Sequence, residues 1–196
     1  MMKQTLIARS LAACALTLMA APAMAHLDPA AHGSVAAGFT HPLFGADHVL
    51  AMVAVGLWAV MLGGRAIWAV PAAFVAAMAV GFVLSLLGMP LPMVEPLILA
   101  SVIVMGVLVA LAVKLPMAAG MGVVAALAVF HGHAHGTEMG GAGAFAYLAG
   151  FASATALLHA AGIVLGLGLA RVSQTLALRG LGGAVAALGA WLAVAG

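Results

Sequence analysis

The sequence predicts an all-α integral membrane protein: one bundle of six transmembrane helices behind a cleaved signal peptide. Hydrophobic residues make up 67% of the chain and charged residues 5%, with a mean hydropathy of +1.30. A soluble domain carries about 25% charged residues to keep its surface wet, so a soluble fold is excluded. The apolar residues also fall into separate runs, each of a length suited to a bilayer core. The 25 glycines and many alanines give small side chains that let helix backbones approach closely where lipid supplies no hydrophobic drive for association. A formal charge of +2 rests on too few ionisable groups to point to nucleic acid.

The N-terminus reads as a secretory signal over residues 1–25, followed by a membrane domain over 26–196. Lys3 and Arg9 precede an apolar run from Leu11 to Ala21, and Ala23-Met24-Ala25 offers the small residues read by a signal peptidase. An uncleaved first helix is the alternative, but the run is shorter than the roughly 20 residues needed to span. Lipoprotein processing at Leu11-Ala12-Ala13-Cys14 is a second alternative, with Arg9 interrupting the stretch that should precede it. Cleavage after Ala25 removes Cys14, the one cysteine, and leaves His26 as the new terminus. A metal site in the mature chain then has imidazole, carboxylate, thioether, backbone and water to use.

Six spans follow, at about 43–62, 66–87, 94–113, 115–134, 144–170 and 180–196, each able to cross about 30 Å at 1.5 Å per residue. Gly63-Gly64-Arg65, Gly88 to Pro92, Lys114-Leu115-Pro116 and Arg171 to Arg179 mark breaks between them. With His26 in the periplasm, Arg65, Lys114, Arg171 and Arg179 all fall in cytoplasmic turns, as the positive-inside tendency requires. The expected protein is therefore a multi-pass protein of the bacterial inner membrane with both mature termini periplasmic. This topology puts all four acids and seven of the eight histidines toward the outer side. Only His159 lies deep, roughly 22 Å along its helix.

Two clusters carry the chemistry. In the first, His41-Pro42-Leu43-Phe44-Gly45-Ala46-Asp47-His48 opens span one, with Met52 a turn beyond. If the segment is one helix, His41 and His48 share a face and Asp47 borders it. Two imidazoles and a carboxylate suit a borderline divalent metal, with the carboxylate either ligating or orienting an imidazole. The plainer alternative is a helix cap with wet interfacial histidines. In the second cluster, His131, His135 and Glu138 lie at i, i+4 and i+7, while His133 points elsewhere. Gly132 and Gly136 weaken a helix here and permit an unwound segment whose carbonyls join the site. A histidine-rich loop is the alternative. Glu95 before Pro96 suits a helix start as well as a ligand. His26 offers an amine and an imidazole or is simply a tail, and His159 is an inner relay or an interhelical hydrogen bond.

The segment His41-Pro-Leu-Phe-Gly-Ala-Asp-His48, continuing to Trp58, and the segment His131-Gly-His-Ala-His-Gly-Thr-Glu138 resemble the two signatures of the HupE/UreJ family of hydrogenase and urease accessory membrane proteins. The resemblance covers the whole mature chain. It implies a secondary nickel permease, with metal roles for His41, Asp47, His48, His131, His135 and Glu138. His26, Met52, Glu95, His133 and His159 are further pathway candidates. The chain has no nucleotide-binding loop, so transport is expected to be secondary or passive, without a prosthetic group. It also has no His-Glu-x-x-His pattern, and an enzyme is not expected. The expected partners are the lipid bilayer and a divalent metal ion, with a second copy of the chain or a cytoplasmic metallochaperone as protein partners. Carriage of cobalt, copper or zinc, a sensor or chaperone that does not transport, and a membrane metalloenzyme are the competing readings.

Overall fold

The computed structural model describes residues 34–139, 143–171 and 175–195. The expected signal peptide over residues 1–25, His26 and His32 lie outside the described residues. Within them the chain is helical and contains no strand. The helices are α1 (Ser34–Phe44), α2 (Ala46–Leu62), α3 (Ala66–Leu86), α4 (Val94–Ala110), α5 (Met117–Glu138), α6 (Ala144–Arg171) and α7 (Thr175–Ala195). Four of them, α3, α5, α6 and α7, are long and apolar enough to cross a membrane. The pair α1 and α2 makes a fifth if its two arms, bent by 86°, count as one span, and α4 is a shorter apolar helix of 17 residues.

The bend corrects one expectation. Residues 41–48 are not a single helix: Gly45 adopts an extended conformation (φ −88°, ψ 112°) and caps α2. His41 ends α1 and His48 begins α2, so they do not share a helical face. The second cluster differs in the opposite sense. Residues 131–138 stay helical through Gly132 and Gly136, because these glycines serve packing rather than unwinding.

Helix α2 is the centre of the bundle. Met52, Ala54, Val55, Trp58 and Ala59 are fully buried, as expected of a helix that is apolar on every side. Around it α3 runs against α5, α4 against α7, and both α1 and α2 against α6. In the α3–α5 pair the contact is backbone to backbone: a Cβ on Gly132 would fall on the Met78 carbonyl, and one on Gly81 on the Val129 carbonyl. Glycine is required at both positions by the approach itself. At the end opposite the histidine clusters, the Trp58 indole N–H donates to the Val113 carbonyl at 2.9 Å. Arg179 Nε donates to the Ala110 carbonyl at 2.8 Å, satisfying one of the open carbonyls at the end of α4.

Replacing Gly132 with alanine should destabilise the protein by about 1–3 kcal/mol or more, the range for overpacking a tight contact. Gly122 has nothing within 4 Å of its would-be Cβ, and Gly122→Ala should be neutral or gain about 0.5–1 kcal/mol. Unfolding of the two variants in detergent checks the contrast; equal effects would show that the α3–α5 contact is not tight.

Candidate metal centre

The 86° bend and the glycine contact deliver four imidazoles to one place. His135, on α5, lies between the two helices of the bent pair: its ring centroid is 4.8 Å from that of His41 and 4.6 Å from that of His48. His131, one turn deeper on α5, meets His48 at 4.8 Å. Glu138 closes the outer side, accepting the His41 Nε2–H at 3.0 Å and standing 4.0 Å from His135 Nδ1. One ligand atom each from His41, His135 and Glu138 lie within 4.8 Å of one another. That spacing lets a single ion draw in all three.

Two of the imidazoles have their tautomers set by neighbours. Asp47 Oδ1 accepts both the His48 backbone N–H, at 2.8 Å, and the Nδ1–H of its ring, at 2.9 Å. The lone pair of the neutral ring then sits on Nε2, which is buried without a hydrogen-bond partner. Asp47 Oδ1 is thus committed to two His48 donors, the arrangement of a carboxylate that orients an imidazole. Ser101 does the same for His131. Its single proton goes to the Ile98 carbonyl at 2.6 Å. Its oxygen must therefore accept His131 Nε2–H at 2.9 Å. The lone pair is left on Nδ1, again buried without a partner. His135 has no hydrogen bond at either ring nitrogen and rests on Phe151, centroid to centroid 3.8 Å.

The other described candidates, His133, Glu95, Met52 and His159, take other positions. His133 Nε2–H donates to the Met89 carbonyl at 2.9 Å, tying α5 to the α3–α4 connection. Glu95 stands exposed in the first turn of α4, where it lines a cavity of about 330 Å³ with Pro96, Leu99, Ala100, Ile103 and Ala193 on the α4–α7 side. Met52 is fully buried one turn below His48. His159 is buried deeper, its ring edge-on to Phe74 at 5.0 Å.

Sequence reasoning missed Ser101, Phe74, Phe151 and Tyr147. Tyr147 is buried, stacks on Phe82 and lies 6.3 Å from His41, with its hydroxyl unpartnered. A lone serine or aromatic in an apolar run carries no signal of its own. The available clue for Ser101 was a polar residue near the outer end of an otherwise apolar span.

An apolar helical bundle with imidazoles and a carboxylate gathered at one end defines a membrane protein of the metal-handling class. The comparisons agree. The family described as HupE / UreJ protein matches residues 14–192, and the chain belongs to this family. It is 48% identical over 200 residues to Protein HupE of Rhizobium leguminosarum bv. viciae, covering 98% of this chain and 100% of that one. The family is associated with accessory functions of hydrogenase and urease. No solved structure matches.

Asp47→Asn should leave the fold intact but lower metal affinity about 10–100-fold, the usual effect of losing an orienting partner. Equilibrium dialysis of purified protein measures this. Unchanged affinity would mean that Asp47 does not act through His48.

Proposed function

We propose that this chain is a secondary permease or channel that carries a divalent metal ion, nickel foremost, from the periplasm to the cytoplasm. The carrying observation is that one ligand atom each of His41, His135 and Glu138 lie within 4.8 Å of one another, continued inward by His48 and His131, whose free ring nitrogens are buried without partners. Buried polar groups in a membrane bundle are costly and mark ion pathways. Imidazole with one carboxylate suits nickel, cobalt, copper or zinc. Membership of a family tied to hydrogenase and urease, both nickel users, favours nickel, destined for a cytoplasmic metallochaperone.

In this reading residues 1–25 are cleaved and the domain from 26 onward crosses the inner membrane six times. The bent α1–α2 pair and α4 count as spans beside the four longer helices, and both mature termini are periplasmic. Arg65, Lys114, Arg171 and Arg179 then face the cytoplasm. Glu138 and His41, the more exposed donors, meet the hydrated ion first. Buried His135 and the pre-oriented His48 and His131 replace its remaining water.

Uptake of nickel by proteoliposomes tests this reading. His48→Ala and His135→Ala should each cut uptake strongly with the protein still folded in the membrane. The double variant should lose little beyond the worse single one, because effects within one functional unit are not additive. Independent, multiplicative losses would mean separate stations, and normal uptake by both single variants would sink the site.

A further inference from the structure

Below the outer group the core holds one more imidazole. His159 is 1% exposed, and neither ring nitrogen has a hydrogen-bond partner among the described residues. A buried imidazole used only for structure would be expected to bond a carbonyl or hydroxyl, since an unmet buried donor costs about 1–3 kcal/mol. Here the close α2–α6 contact fixes the residue without satisfying its ring: a Cβ on Gly56 would fall on the His159 carbonyl.

What surrounds His159 points to an ion. Phe74 separates it from the outer group, with ring centroids 5.0 Å from His159 and 5.6 Å from His131, whose Nδ1 is the deepest free lone pair of that group. Thr155 lies one turn from His159 on α6, and its hydroxyl meets the Met78 sulfur at 3.6 Å. Met78 lies one turn from Phe74 on α3, so facing stripes of α3 and α6 bring a thioether and a hydroxyl to the level just outward of His159. Toward the basic end the core continues as Trp58, Val70, Val109 and Val124. Among the described residues, His159 is the last buried polar side chain before that end.

We propose that His159 is an inner metal station, built on the permease reading, that receives a divalent ion passed around Phe74 and holds it with Met78 as a soft neighbour. Its donors are all neutral. Without a carboxylate, an imidazole and a thioether hold a dication with less Coulomb attraction than the outer set. Loose binding suits a station the ion must leave, as conduction through successive sites requires.

The test uses full-length protein, with Ni²⁺ binding measured by equilibrium dialysis in detergent and Ni²⁺ uptake measured in proteoliposomes. The wild type should bind one ion tightly and a second weakly. His159→Ala and the bulkier His159→Gln should keep the tight ion with unchanged affinity, lose the weak one, and slow uptake by about tenfold or more. Persistence of the weak ion in both variants, or uptake equal to wild type in both, would overturn the station. Should the wild type bind ions without moving them, the permease reading fails on its own, and the loss or survival of the weak ion still decides the station.

Discussion

The backbone contact between α3 and α5 is the constraint on which the rest of the structure depends. Gly81 lies against the Val129 carbonyl and Gly132 against the Met78 carbonyl, so no side chain separates the two helices there. His131 and His135 flank Gly132 on α5, and α3 carries Phe74, Met78 and Phe82 opposite. At this spacing the Phe74 ring lies 5.6 Å from His131. A second contact of the same kind, between Gly56 of α2 and Gly162 of α6, fixes the helix that carries His159. Lipid offers no hydrophobic drive for such association, so the closeness of the backbones is itself the stabilising term.

Within that frame, polar groups are graded by depth. Side-chain exposure falls from 45% at Glu138 and 28% at His41 to 11% at His48 and 0% at His135. The order follows from desolvation: a carboxylate is hard to strip of water and stays at the mouth, whereas a neutral imidazole brings a lone pair without a charge. Among the described residues Asp47 is the one acid drawn partly inside, and it is held by two donors from His48. The partners of the imidazoles therefore decide which nitrogen each presents, and the site's chemistry is set as much by Asp47 and Ser101 as by the histidines themselves.

The opposite end is built differently. Trp58 fills it and bonds the Val113 carbonyl, and Arg179 bonds the Ala110 carbonyl. Both acceptors belong to the end of α4 and the turn after it, where Ala112 holds a left-handed conformation with φ 53°. Among the described residues the bundle thus gathers imidazoles and carboxylates at one end and sets a buried indole near the other.

How much of this was legible in the sequence depends on what each feature requires. The apolar helices, the i, i+4, i+7 stripe of His131, His135 and Glu138, and the separate direction of His133 follow from periodicity within one helix, and the structure has them. The break at Gly45 did not follow. The nearest proline, Pro42, is accommodated inside α1, so the strongest helix-breaking signal stands three residues from the bend it would mark. Gly132 and Gly136 misled for a related reason: glycine weakens an isolated helix, but the same lack of a Cβ is what lets α5 meet α3. The propensity is a property of one helix and the packing gain is a property of two. Wherever a residue's role rests on the second helix, as for Ser101 under His131 or Phe74 between two histidines, a single sequence supplies the residue but not the neighbour that gives it meaning.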